Sequence, residues 1–144
     1  EERHNRGWDT IEEQLDLCGA IRQAGRCDDG AQPAENTVVL VDCLTLWINN
    51  LMYHAEQRDE AIGEDAIQRL CDELLDICRK HRGTILFVTN EVGMGIVPGD
   101  ALSRRYRDLV GRCNQTIAAR ADRVTLVACG IPLTLKGDND NVAS

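Results

Sequence analysis

Apolar and polar positions follow two different periods along this chain. Thr37-Val38-Val39-Leu40-Val41 and Thr84-Ile85-Leu86-Phe87-Val88-Thr89 are continuous runs without polar alternation. That pattern predicts strands covered on both faces, as in parallel α/β sheets. Between them Ile67, Leu70, Cys71, Leu74 and Cys78 recur at helical spacing, which predicts a helix over 64–82 stopped at Gly83. Leu44, Trp47, Ile48 and Leu51 predict another helix over 43–54, and Leu15, Leu17, Cys18 and Ile21 permit one over 12–23. Residues 25–36 and 55–63 lack periodicity and read as connections. Asp100 is placed to cap a helix whose Leu102, Tyr106, Leu109, Cys113 and Ile117 share one side. A third strand is expected over 124–129 and a short fourth over 131–135.

Strands separated by helical segments imply right-handed crossovers and a mostly parallel sheet with helices on both faces. The expected fold class is therefore α/β, three-layered. Residues 1–136 form one domain and 137–144 a polar tail.

Composition narrows the function. The 144 residues include 43% hydrophobic residues, enough for a core. The 16 Lys and Arg against 24 Asp and Glu leave a formal charge of −8, which argues against nucleic acid as a partner. No apolar run approaches the roughly 20 residues that span a bilayer. The start, Glu1-Glu2-Arg3-His4-Asn5-Arg6, is too polar for a signal peptide and is not a methionine, so an incomplete N-terminus is expected. Seven cysteines, without a C-x-x-C pair, predict reduced thiols that pack as small hydrophobes in a cytoplasmic protein.

Open parallel sheets bind ligands beyond the carboxyl ends of their strands. Two segments sit there. Asp42 ends four apolar residues, as in a Walker B strand, where a carboxylate can hold Mg²⁺ or accept from a ribose hydroxyl; the plain alternative is a cap on the following helix. Thr89-Asn90-Glu91 offers a hydroxyl, an amide and a carboxylate, with Gly93, Gly95 and Gly99 allowing close approach to a ligand; the alternative is an ordinary glycine-rich loop. Pro98 breaks the G-x-G-x-x-G dinucleotide pattern, and no G-x-x-x-x-G-K-[ST] phosphate loop occurs. His54 and His81 belong at helix ends. Arg104, Arg105, Arg107 and Arg112 read as a solvated face from which one guanidinium could meet phosphate. Glu12 carries no special signal by itself.

Together these residues become more specific. The stretch Phe87-Val88-Thr89-Asn90-Glu91-Val92-Gly93-Met94-Gly95-Ile96-Val97-Pro98 closely resembles the bifunctional adenosylcobinamide kinase / adenosylcobinamide-phosphate guanylyltransferase family of cobalamin biosynthesis. The resemblance continues through Arg105-x-Arg107-Asp108-x-x-Gly111-Arg112-x-Asn114-Gln115, then Ala121-Asp122 and Gly130-Ile131-Pro132. Upstream, Leu40-Val41-Asp42-Cys43-Leu44-Thr45 and Trp8-x-Thr10-x-Glu12 are similar to further family segments.

The resemblance implies a P-loop NTPase type of fold lacking its N-terminal P-loop strand and helix. It implies phosphorylation of adenosylcobinamide by ATP or GTP, then transfer of GMP from GTP through a guanylylated histidine, with Mg²⁺ accompanying the nucleotide. The histidine is expected just before Glu1, so no residue of the chain is the nucleophile and the 144 residues alone are expected to be inactive. Glu1, Glu2, Arg3, His4, Glu12 and Asp42 fall at nucleotide-binding positions, and Asn90 and Glu91 are candidates for catalytic support. A homo-oligomer, typically a trimer, is implied as well. Two other readings compete: a non-catalytic relative that serves as a binding or assembly subunit, and a carboxylate-metal hydrolase built on Asp42 and Glu91.

Overall fold

The computed structural model describes residues 7–25 and 37–137. Its helices are α1 (Leu17–Ala24), α2 (Leu44–Glu56), α3 (Glu64–Cys78) and α4 (Ala101–Arg120). Its strands are β1 (Val38–Asp42), β2 (Thr84–Val88), β3 (Val124–Ala128) and β4 (Ile131–Lys136), and a 3-10 turn spans Val92–Met94.

Local chemistry sets the helix limits. The Glu13 carboxylate accepts the amides of Leu15 and Asp16, and Asp16 accepts from Gly19, so α1 starts at Leu17 rather than at residue 12. Asp100 caps α4 as expected, accepting the Ser103 amide at 2.8 Å. Of the expected stripe on α4, Leu109, Cys113 and Ile117 are buried, Tyr106 packs against the core, and Leu102 is exposed. Leu102 lies a turn short of the part of α4 that the core covers.

β1 and β2 pair in parallel, with Val38 opposite Thr84 and Asp42 opposite Val88. Among the described residues only one of the two expected faces is covered. Val39 and Val41, with Ile85 and Phe87, pack on the helical core, whereas Val38, Leu40, Leu86 and Val88 are exposed. No described element lies on that second face, so an apolar run buries only alternate residues. The third strand also departs from the parallel pattern. β3 pairs antiparallel with β4 in a separate two-stranded sheet, because Cys129 and Gly130, both at positive φ (54° and 77°), make a two-residue hairpin turn.

The core joins α1, α2, α3, α4 and one face of the parallel pair around fully buried Leu44, Ile48, Ile67, Leu74, Leu109 and Val110. Cys71 of α3 and Cys113 of α4 meet inside it with sulfurs 3.5 Å apart. The Cys71 thiol donates to Cys113, and that bond together with burial pushes its pKa up. Burial likewise raises Cys18 and Cys78 to about 11. The six cysteines among the described residues are free thiols; Cys71 and Cys113 take the expected packing role in the core, with Cys18 and Cys78 packed against it, whereas Cys129 is exposed. The helical face is tied laterally by Arg112–Glu64 at 2.7 Å and Arg120–Asp72 at 2.8 Å, both between α4 and α3.

Candidate functional site

The parallel register fixes what stands at the carboxyl edge. With Asp42 opposite Val88, the chain leaves both strands side by side, so Cys43–Thr45 and Thr89–Glu91 are neighbours despite their separation in sequence. This edge is where a parallel sheet presents ligand-binding groups, because the crossovers carry the chain away there.

A hydrogen-bonded network closes around that edge. The Asn90 side chain donates to Thr45 Oγ1 at 3.2 Å, and Thr45 Oγ1 lies 2.9 Å from Cys43 Sγ. Thr45 is a buried polar residue in the first turn of α2, so these partners offset the loss of water. From α4, the Tyr106 hydroxyl donates to the Thr45 carbonyl at 3.2 Å. Burial raises the Tyr106 pKa, and the cost of charging it beside Cys43 adds to this. Eight residues further along α4, Asn114 engages the other strand end. Thr89 Oγ1 donates to Asn114 Oδ1 at 2.7 Å, while Asn114 Nδ2 donates to the Asn90 carbonyl at 3.2 Å and to Glu91 Oε1 at 2.9 Å.

The sequence-predicted residues are therefore only partly brought together. Asn90 and Glu91 belong to this network. Asp42 stands beside it at the end of β1, exposed, and its carboxylate makes no hydrogen bond or ion pair among the described residues. The capping alternative for Asp42 is not realised: the N-cap of α2 is Cys43, without a side-chain capping bond. Glu12 is exposed in a segment docked on α2, where Trp47 Nε1 donates to the Leu15 carbonyl at 2.9 Å and Asn50 reaches the Gln14 carbonyl. Glu1, Glu2, Arg3 and His4 lie outside the described residues.

The arginines resolve into structural ties. Arg104 donates to the Pro98 and Gly99 carbonyls and closes the glycine loop onto α4. Arg105 bonds the Ile62 carbonyl, Arg107 pairs with Asp108, and Arg112 takes the bridge to Glu64. Two open hollows of about 320 and 300 Å³ flank these arginines, and neither is lined by Asp42, Asn90 or Glu91. The loop itself presents Met94, Ile96 and Val97 to solvent, Ile96 at 95% exposure. An apolar rim thus stands next to the polar strand-end network.

Spacing alone did not reveal Thr45, Tyr106 or Asn114. Asn114 and Thr45 each had one available signal, their places in the Arg112-x-Asn114-Gln115 and Leu40-Val41-Asp42-Cys43-Leu44-Thr45 segments; Tyr106 was visible only as a member of the apolar side of its helix.

Among the described residues no group of three or more His, Cys, Asp or Glu side chains gathers for a metal ion. What they offer is sparser: an unpartnered Asp42 carboxylate, and a Glu91 carboxylate bonded through one oxygen. That donor set fits Mg²⁺ arriving on nucleotide phosphates, since this ion keeps most of its waters and takes only one or two protein carboxylates. No helix among the described residues is long and apolar enough to cross a membrane.

Comparison with known proteins gives concordant results. The family model described as cobinamide kinase / cobinamide phosphate guanyltransferase matches residues 1–135. A Pseudomonas aeruginosa protein named bifunctional adenosylcobalamin biosynthesis protein CobP is 41% identical over 137 residues, covering 91% of this chain and 67% of its own length. The bifunctional adenosylcobalamin biosynthesis protein CobU of Salmonella typhimurium is 40% identical, over 74% of the chain and 62% of the relative. That of Escherichia coli is 35% identical, over 94% and 76%. The chain thus spans about two thirds of the length of these relatives.

Proposed function

The chain belongs to the cobinamide kinase / cobinamide phosphate guanyltransferase family, and from that premise we propose that it serves both nucleotide-dependent steps of that chemistry. In the first, ATP or GTP phosphorylates the aminopropanol hydroxyl of adenosylcobinamide. In the second, a histidine imidazole attacks the α-phosphate of GTP, pyrophosphate leaves, and the substrate phosphate displaces the imidazole to take GMP. We place that histidine just upstream of Glu1. The strand-end residues bind and orient the nucleotide, within a P-loop NTPase type of fold and a homo-oligomeric, cytoplasmic enzyme.

The observation that carries this reading is the convergence of Asp42 and Thr89-Asn90-Glu91 at one carboxyl edge of a parallel pair. Asp42 is free to contact nucleotide or nucleotide-borne Mg²⁺, and the ion supplies charge neutralisation at the phosphates. Glu12, in the segment docked on α2, and Glu1, Glu2, Arg3 and His4 are further nucleotide-binding candidates. Asn90 supports the transfer as a fixed dipole beside the reacting phosphate, where it acts without reorganising, and the Glu91 carboxylate would support it through nucleotide-borne Mg²⁺ rather than by facing the phosphate directly.

The test is to incubate the longest product of the reading frame with α-labelled GTP and Mg²⁺. Acid-labile, base-stable label on the protein, discharged by adenosylcobinamide phosphate, is the expected result. Asp42→Ala should lower labelling at subsaturating GTP by about tenfold or more, the size of one lost charged contact. A product that takes no label and binds no GTP would instead favour a non-catalytic assembly subunit.

A further inference from the structure

We propose that Asn114 is a positioning residue for the strand-end loop, its carboxamide fixing where Asn90 and Glu91 stand for group transfer. The inference rests on the functional reading above and extends it to a residue on a different element.

Three bonds converge on this one side chain. Asn114 Nδ2 faces the Asn90 carbonyl and Glu91 Oε1, at 3.2 and 2.9 Å. A carbonyl and a carboxylate only accept, so the NH₂ group must be the atom that meets them. The carboxamide oxygen is left for Thr89, whose rotatable hydroxyl donates to it at 2.7 Å. The amide orientation is thereby determined by its partners. An aspartate at this position would set oxygen against two acceptors.

The anchor sits in a regular helix, whereas the segment it holds is irregular backbone. Asn114 lies inside the 20-residue helix α4, next to Cys113 and one turn from Val110 and Ile117, all buried. The segment it holds leads into Gly93, Gly95 and Gly99, which constrain the backbone little. Folding does not require a fixed Glu91: the side chain is exposed, and ordering an exposed carboxylate costs rotamer entropy for a weak solvent-screened contact. Holding it through Oε1 leaves Oε2 turned free of protein partners among the described residues. That arrangement suits a group kept ready for a ligand, presented from a rigid element.

The experiment compares wild type, Asn114→Ala, Asn114→Asp, Glu91→Ala and the Asn114→Ala/Glu91→Ala double variant in the longest product of the reading frame. Guanylyl transfer is followed with GTP and adenosylcobinamide phosphate, together with amide hydrogen exchange over residues 89–94 and along α4. Misplacement by about 1 Å can cost on the order of 100-fold, so kcat should fall about 10- to 100-fold in both Asn114 variants while KM for GTP stays within about twofold. Exchange should quicken at residues 90–93 and not along α4. In the Glu91→Ala background, Asn114→Ala should cost less than it does in wild type, since one of its three partners is already gone while the bonds to Thr89 and Asn90 remain to be lost. A kcat within twofold of wild type in Asn114→Ala, or fully additive losses, overturns the proposal. If wild type transfers no guanylyl group, the functional reading has failed separately. Exchange then decides alone: unchanged rates at 90–93 sink the positioning role and faster rates uphold it.

Discussion

Single side chains at the ends of elements do much of the local specification. Asp100 and Glu13 each receive backbone amides, and those bonds hold both carboxyls below their ordinary pKa values of 3.8 and 4.5. A carboxyl with a depressed folded-state pKa contributes stability above its unfolded value and loses it as pH falls through the folded one. The starts of α1 and α4 should therefore loosen below about pH 4.5. Urea midpoints taken from pH 7 down to pH 3 should drop less steeply for a Glu13→Gln/Asp100→Asn protein than for wild type; equal slopes would refute the assignment. Asp100 was legible from sequence, because an N-cap acts on a residue three positions away. Asn114 was not, since it acts on a loop 23 to 25 residues distant and amides carry no periodic signature. Thr45 was hidden for the same reason: its value depends on what Asn90 and Tyr106 do to it.

At the level of elements, the sequence showed where strands and helices lie better than how strands combine. The runs at 38–42 and 84–88 are strands, and the α3 stripe is buried through Ile67, Cys71 and Leu74. Period and composition cannot say whether a second layer covers a strand, so the exposed Leu40 and Leu86 were unreadable. Nor does a strand announce its partner: β3 follows a helix like a crossover strand, yet the two residues after it fold it onto β4. One residue governs the parallel pair at its entry. A Cβ on Gly83 would collide with the Thr37 carbonyl, the group that accepts the Thr84 amide at 2.9 Å. Gly83→Ala should cost about 2–3 kcal/mol, because the first bond of the pairing must give way. Chemical denaturation measures it; a loss under 0.5 kcal/mol would show that the strand entry shifts freely.

On the scale of the whole molecule, an extended apolar surface among the described residues is the side of β1 and β2 turned away from the helices. Val38, Leu40, Leu86 and Val88 lie together there, in register and exposed. A contiguous apolar face of this kind attracts hydrophobic dyes and other chains. The Leu40→Thr/Leu86→Thr protein, which puts polar but β-branched, strand-favouring residues at these positions, should bind markedly less dye than wild type with stability changed by no more than about 0.5 kcal/mol. Undiminished binding would locate the dye site elsewhere, with the Met94–Val97 rim as the next place to look.

Helix α4 reaches one strand end through Tyr106 and the other through Asn114, and eight residues of helix separate the two by about 12 Å. The helix thereby acts as a gauge block between the ends of β1 and β2. Substitutions along its outer face leave the gauge intact, but a single residue inserted or deleted between 106 and 114 would swing one tether about 100° around the axis relative to the other. Length, more than composition, is what this stretch of the chain must keep.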